Sequence, residues 1–172
     1  GELNDLGLSG LAVPEAQGGM GFGAIEAMVV MEELGRGLVN APYAQAALVS
    51  PTLLSGAPDA LQSEWLTKIA AGEALVVLAQ QERRSRYRLN KVSTRAVQAG
   101  GGWALSGAKT VVPAGDEADA FIVSARISGA EDANDGIGLF LVPKAAKGLS
   151  ITGYPTQDGG RAADLLLDIH SM

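Results

Sequence analysis

The feature that constrains the fold most is a series of short strand-like runs in the second half of the chain, with no helical pattern between them. Clusters of glycine, proline, asparagine and aspartate separate these runs, which occupy residues 74–80, 91–98, 102–111, 119–126, 136–143 and 163–169. Parallel neighbours need a long crossover connection, usually a helix, so strands that follow one another directly pair antiparallel. The second half is therefore predicted to form an antiparallel sandwich or barrel.

The first half of the chain has helical patterning instead. Ala27, Val30, Met31 and Leu34 follow the spacing of one helix face. Further helices are predicted over residues 43–54, with an interruption near the proline at position 51, and over residues 58–72. The sequence thus predicts an α+β fold, with a helical segment over residues 1–72 and a β domain over residues 73–172.

Composition excludes several classes of function. The formal net charge of -6 argues against a general binder of nucleic acid, which needs a broad positive field. The chain has no cysteine, which removes thiolate nucleophiles and cysteine zinc sites, and its one histidine, His170, lacks partners for a metal site or a catalytic triad. No apolar run is long enough to span a bilayer, and no secretory signal pattern is present, so a cytoplasmic location is expected.

One local feature departs from this acidic background. Four arginines occupy six positions within QQERRSRYRL, residues 80–89. If the segment is extended, Arg84, Arg86 and Arg88 share one face and Tyr87 lies on the other. Arginine presents a planar fork of donors that suits phosphate oxygens, but a charged, solvated edge strand protected from aggregation gives the same pattern. The spacing alone leaves a phosphate contact and a solvated edge equally open.

Three segments, taken in order, resemble the acyl-CoA dehydrogenase family of flavoenzymes. LGLSGLAVPEAQGGMGFGAIEAMVVMEELGR (6–36) is similar to the family's LGLxGLxVPExxGGxGxxxxExxxxxEELGR segment. GWALSGAKTVVPAGDEADAFIVSAR (102–126) resembles its W-x-L-N-G-x-K strand pair and the A-D-x-F-x-V-x-A-R run, and GIGLFLVPKAAKGLSI (136–151) resembles a third segment. The order and spacing of these segments carry the resemblance over most of the chain.

The resemblance implies an architecture and a reaction. Family members have an N-terminal helical domain, a middle β-barrel domain and a C-terminal four-helix domain, so this chain is expected to be a fragment that covers part of the first domain and the middle domain. The implied reaction is FAD-dependent α,β-dehydrogenation of an acyl-CoA thioester. The carboxylate base of most members lies in the C-terminal domain, so no catalytic residue is assigned within this chain.

The resemblance also nominates cofactor contacts at two places. The family's T-E-P-x-x-G-S-D motif aligns with the end of the first strand-like run, which nominates Leu78, Gln80, Gln81, Arg86 and Tyr87. The second contact, usually W-I-T or W-I-S, corresponds to Val111, Val112 and Pro113. Both sites depart from the common motifs, and the loss of the aromatic ring and the hydroxyl at the second one weakens the case for tight FAD binding.

A bacterial subgroup of the family has the same departures. Its E-x-x-[AS]-R-Y-x-L and D-G-x-x-A-A-x-L motifs match Glu82–Leu89 and Asp158–Leu165. The subgroup includes small subunits of pimeloyl-CoA dehydrogenase and steroid side-chain enzymes, which pair with a related subunit. The expected partners are an acyl-CoA, an electron acceptor protein and a homo- or hetero-oligomer. The alternatives are a non-catalytic subunit that shapes a partner's active site and, third, an acyl-CoA oxidase or flavin monooxygenase relative.

Overall fold

The computed structural model describes residues 2–171 and divides them between two compact units. The first unit runs over Gly1–Val76 and the second over Val77–Met172. The elements have the predicted order, helices first and strands afterwards, and the predicted α+β class is confirmed.

The first unit consists of short helices around a small apolar core. Its helices are α1 (Glu2–Asp5), α2 (Ala24–Arg36), α3 (Ser50–Leu54), α4 (Asp59–Leu61) and α5 (Thr67–Ala70). Two π-helical turns, Ala44–Val49 and Gln62–Leu66, lead directly into α3 and α5. The interruption predicted near Pro51 is a change from π to α register, and Pro51 lies in the first turn of α3.

The periodic face of helix α2 is half-buried at most of its positions and fully buried at none. None of its residues is buried, and the side chains of Ile25, Met28 and Val29 are more than half exposed. The core of this unit comes from other elements and includes Leu11, Val13, Tyr43, Leu66 and Ile69. Helical periodicity identified α2 correctly, but it did not reveal that other apolar side chains of the helix stay exposed among the described residues.

The second unit is a curled half-barrel sheet of seven strands. They are β1 (Val76–Ala79), β2 (Arg95–Ala99), β3 (Gly102–Pro113), β4 (Ala120–Arg126), β5 (Ile137–Pro143), β6 (Leu149–Pro155) and β7 (Arg161–Ile169). The strand order is β1-β4-β2-β3-β7-β6, and β5 pairs with β4. Pairing is antiparallel in β2–β3, β3–β7, β4–β5 and β6–β7, whereas β2 and β4 meet in parallel at Arg95 and Arg126 alone.

Strand β3 contains the irregularity that matters most for the site. Its register against β7 shifts between Lys109 and Val112, so residues 110 and 111 stand outside the regular ladder. A bulge of this kind bends the strand and redirects its side chains and N–H groups. The bulge lies in the second segment that the sequence nominates for a cofactor contact.

Candidate cofactor site

The arginine segment is a series of tight turns and not the extended strand that would place alternate arginines on one face. The backbone N–H groups of Ser85, Arg88 and Lys91 each donate to the carbonyl three residues earlier, at 3.0, 3.0 and 3.2 Å. The buried Ser85 hydroxyl accepts the Glu82 N–H at 3.1 Å and donates to the Glu82 carbonyl at 2.9 Å. A serine that bonds its local backbone in this way favours a turn over a strand, so the extended conformation on which the alternation of the arginines depended does not form.

The turns leave the arginines in different surroundings. Arg88 lies 3.6 Å from the Asp132 carboxylate, and Arg83 lines a groove of the β unit. Arg86 is exposed and has a φ of 50°, and Tyr87 beside it is 98% exposed. A left-handed backbone at a non-glycine residue persists only where the surrounding structure holds it, and such residues cluster at functional sites. The segment thus has a defined turn conformation that exposes arginine side chains and one aromatic ring to solvent.

A buried ion pair anchors the start of the arginine segment to the sheet. The Lys109 ammonium lies 2.7 Å from the Glu82 carboxylate, and their side chains are 0% and 6% exposed. The same carboxylate accepts the backbone N–H groups of Ser93 and Thr94 at 2.7 and 3.0 Å, and Lys109 also donates to the Ser124 hydroxyl at 3.1 Å. Every polar group in this cluster therefore has a partner, as buried charges require.

Burial and ion pairing shift the pKa of the Glu82 carboxyl in opposite directions. Burial alone would raise its pKa, but the hydrogen bond and charge of Lys109, with the N–H donors, hold the pKa below its ordinary value. Burial lowers the pKa of the Lys109 ammonium, and the hydrogen bond to Glu82 offsets part of that effect. The pair is best described as ionised, with each charge stabilised by the other.

The ion pair brings the two nominated segments together. The Thr110 N–H donates to the Gln81 carbonyl at 2.8 Å. Thr110 follows Lys109 in the sequence, and Gln81 precedes Glu82. Gln80 and Gln81 are exposed, so their amide side chains face solvent beside the bulge of β3. The structure therefore places residues 80–82 directly against the β3 bulge, although they are far apart in sequence.

The bulge itself is strained and held by a carboxylate. Val111 has a φ of 51° and is 46% exposed, and its N–H donates to Asp164 Oδ1 at 3.0 Å. The Tyr154 hydroxyl donates to the same oxygen, also at 3.0 Å. Burial raises the pKa of the Tyr154 hydroxyl, and the hydrogen bond and charge of Asp164 raise it further. Three strands, β3, β6 and β7, thus meet at one carboxylate.

An open groove of about 380 Å³ lies beside the bulge, within the β unit. Its polar lining comes from Arg83, Lys109, Thr110, Ser150, Thr152 and Asp164. Two cations, three hydroxyls and one carboxylate suit a hydroxylated, anionic ligand better than an apolar one.

The remaining nominated residues occupy distinct positions. Leu78 is half-buried in β1, Val112 is 1% exposed in the core, and Pro113 is exposed at the end of β3. The Val112 side chain therefore faces away from solvent, while Val111 and Pro113 face outward.

A second buried cation secures the far end of the arginine segment. The guanidinium of Arg126, which is 1% exposed, donates to the backbone carbonyls of Asn90, Glu131, Ala133 and Asp135. Asn90 in turn donates to the Asp132 carbonyl and to the Asn134 side chain. The loop after β4 and the end of the arginine segment are therefore held by one side chain.

Comparison with known families assigns the chain. The family model of the acyl-CoA dehydrogenase N-terminal domain matches residues 1–73. The family model of the acyl-CoA dehydrogenase middle domain matches residues 77–168. The second match covers more than half of the chain, so this protein belongs to the acyl-CoA dehydrogenase family, as the resemblance predicted.

Individual relatives agree with this assignment. The chain is 30% identical to acyl-CoA dehydrogenase FadE27 of Mycobacterium tuberculosis over 97% of its own length and 42% of that protein. A solved Tcur3481-Tcur3483 steroid ACAD variant is 34% identical, with a TM-score of 0.84, and the ChsE4-ChsE5 complex of Mycobacterium tuberculosis is 28% identical, with a TM-score of 0.85. The match covers 97% and 99% of this chain and 44% of each solved chain. The chain therefore spans less than half the length of these relatives.

The family's members depend on FAD, so the nominated residues can be tested for their fit to that cofactor. The arginine turns and the exposed Gln80 and Gln81 amides fit its phosphates and polar groups, because they present free donors. The β3 bulge does not fit the hydrogen-bonding edge of the flavin ring. Residues 111–113 have no side-chain donor, and the N–H groups of Thr110 and Val111 are already bonded. The fit is thus good on the phosphate side and poor on the ring side.

Three features of this site have no signal in the local sequence. The Glu82–Lys109 pair, the Asp164 contact and the role of Arg83 in the groove were not foreseen. Asp164 lies within the D-G-x-x-A-A-x-L match, so the motif marked its neighbourhood without assigning it a role. Within residues 2–171 no group of three or more metal-ligating side chains is placed to hold an ion, and no helix there is long and apolar enough to cross a bilayer.

Proposed function

We propose that this chain is the N-terminal and middle part of an FAD-dependent acyl-CoA dehydrogenase subunit. We place the boundary between its two domains at residues 72 and 73. The observation that carries the proposal is the docking of residues 80–82 onto the β3 bulge through the buried Glu82–Lys109 pair, with the arginine turns directly adjacent. This arrangement holds backbone, amides and cations in one group, which suits the phosphate-bearing part of a flavin dinucleotide.

FAD, when bound, supplies the electron sink for dehydrogenation of an acyl-CoA thioester. In the proposal this chain binds and orients. Gln80, Gln81, Arg86 and Tyr87 contact the polar and phosphate-bearing parts of the cofactor, and Leu78 supports them from β1. Residues 111–113 form an apolar wall on the ring side. The carboxylate base, the acyl-chain pocket and the electron acceptor protein belong to the longer subunit and its partners. We place the protein in the cytoplasm, because a chain without cysteine fits a reducing compartment.

A second candidate function is supported by the ring-side wall. Because that wall has no free N–H at Thr110 or Val111, the chain is equally suited to a non-catalytic subunit of a heteromeric dehydrogenase. Two of the similar solved structures are a ChsE4-ChsE5 complex and a Tcur3481-Tcur3483 steroid ACAD. In this version the chain shapes the active site of a related partner subunit.

Uptake of FAD by the chain tests the leading proposal. The chain is titrated with FAD, and bound flavin is measured by absorbance after desalting. We expect Arg86→Gln to weaken binding about tenfold, because a charge-assisted hydrogen bond contributes roughly 1.5–3 kcal/mol. Arg95→Gln is the matched control, since Arg95 is an exposed arginine on β2 outside the cluster. A wild-type chain that takes up no FAD but assembles with a related dehydrogenase subunit contradicts the leading proposal and supports the second.

A further inference from the structure

One carboxylate oxygen of β7 controls the conformation of the β3 bulge. Asp164 Oδ1 accepts the Val111 N–H and the Tyr154 O–H, each at 3.0 Å. These contacts join β3, β6 and β7 at the place where the β3–β7 register shifts. The carboxylate therefore replaces the ladder partner that the bulge removes from Val111.

Several contacts hold the backbone at this point, and Asp164 provides one of them. Val111 is β-branched and has a φ of 51°, a combination that is a genuine outlier in folded proteins. A strained residue keeps its conformation only where neighbouring groups over-determine it. The hydrogen bond from the Val111 N–H to Asp164 is the contact that fixes the direction of this peptide group.

The same contact removes a donor from the exposed face of the bulge. The Thr110 N–H is bonded to the Gln81 carbonyl, the Ala114 N–H to the Arg161 carbonyl, and Pro113 has no N–H. Val111 is nearly half exposed, so its N–H would be the donor available to a ligand acceptor if Asp164 did not hold it.

We propose that Asp164 is a specificity-determining residue of the cofactor face: it occupies the Val111 N–H and withholds this donor from ligand acceptors such as the oxygen atoms of a flavin ring. The inference rests on the proposed function, because the ligand it concerns is FAD. It means that the bulge meets the cofactor through the apolar surfaces of Val111 and Pro113, with a carboxylate nearby.

Hydrogen exchange tests the contact without any ligand. In the wild-type chain the Val111 amide is expected to exchange slowly, and in Asp164→Ala at least about ten times faster, because the bond is lost. Asp164→Asn keeps an oxygen acceptor and should retain protection. Asp168→Ala is the control, since Asp168 is an exposed aspartate on the same strand. Equal protection of the Val111 amide in the wild type and Asp164→Ala would overturn the assignment of this contact.

FAD titration tests the consequence. Freeing the Val111 N–H should tighten FAD binding about three- to tenfold more in Asp164→Ala than in Asp164→Asn, which removes the charge alone, while Asp168→Ala binds like the wild type. If Asp164→Ala fails to fold, Asp164→Leu is nearly isosteric with asparagine and also lacks the acceptor. Unchanged or weaker binding in the variants without an acceptor overturns the inference, as does an equal gain in Asp164→Asn, which would point to charge.

The two experiments separate this inference from the proposed function. A wild-type chain that binds no FAD contradicts the proposed function. If Asp164→Ala also binds none, the role of Asp164 toward FAD falls with it, although slow exchange at Val111 would still support the structural contact. Wild-type binding combined with no gain in Asp164→Ala overturns the inference alone.

Discussion

The buried pair of Glu82 and Lys109 holds two distant segments of the β unit together through two side chains. Both lie in segments that resemble family motifs, yet they are 27 positions apart, and no local pattern indicates that they pair. The pairing depends on how β3 passes beside the end of β1, which is a tertiary property. With side chains 0% and 6% exposed, the two charges are tolerable only together.

Removing one charge of this pair should be costly. Glu82→Gln leaves the Lys109 ammonium buried without an anion, and we expect the free energy of unfolding to fall by about 3–5 kcal/mol in urea titrations near neutral pH. The exposed pair Glu64–Lys68 supplies the control, since Glu64→Gln should change stability by less than about 1 kcal/mol. Similar losses in the two variants would show that the buried pair contributes no more than a surface one.

The same pair predicts how stability depends on pH. Because the folded-state pKa of Glu82 lies below its ordinary value, its stabilising contribution is fully present above the unfolded pKa and is lost as the pH falls through the folded pKa. Thermal unfolding should therefore show a decline on the acid side that is shallower in Glu82→Gln than in the wild type. An identical acid limb in both proteins would contradict the lowered pKa.

At the scale of elements, sequence predicted the helices and most strands, left one segment open and missed one strand. The conformation of the arginine segment stayed open, and the Ser85 hydroxyl closes it into turns. Strand β6 was missed, because Gly153 and Pro155 weaken the strand pattern of a run that is mostly exposed. Strand β6 forms because it pairs with β7, and a partner that is distant in sequence cannot be predicted from the local residues.

The start of β6 makes a sharp prediction about one glycine. Gly148 has a φ of 89°, and a Cβ there would lie 2.0 Å from the Asp168 carbonyl oxygen. Gly148→Ala must therefore displace backbone as well as strain it, and we expect the free energy of unfolding to fall by more than about 2 kcal/mol. Gly100 is the control: its φ is 59° with open space around it, so Gly100→Ala should cost about 1 kcal/mol. Equal decreases in the free energy of unfolding in the two variants would mean that the backbone at residue 148 adjusts to a Cβ at little cost.

At the scale of the whole molecule, charge is distributed unevenly along the chain. Residues 1–76 contain nine acidic and two basic residues, whereas residues 77–172 contain ten and eleven, so the formal net charges are -7 and +1. The sequence supported the α+β fold, the family and the basic cluster, because each is carried by local residue order. It could not show that the ring-side donors are already bonded or that Val112 is buried, because both follow from the β3–β7 register.

The salt dependence of FAD binding should report this uneven charge distribution. If the arginine turns contact phosphates, raising NaCl from about 50 to about 500 mM should weaken FAD binding by roughly tenfold, because exposed charge pairs are screened by salt. A variant with both Arg83→Gln and Arg86→Gln should lose most of that dependence, while Arg95→Gln should retain it. Riboflavin, which has the ring but no phosphate, should bind with little response to salt in every variant. The measurement is the slope of log Kd against log salt concentration, and an unchanged slope in the double variant would show that these arginines do not meet the cofactor's phosphates.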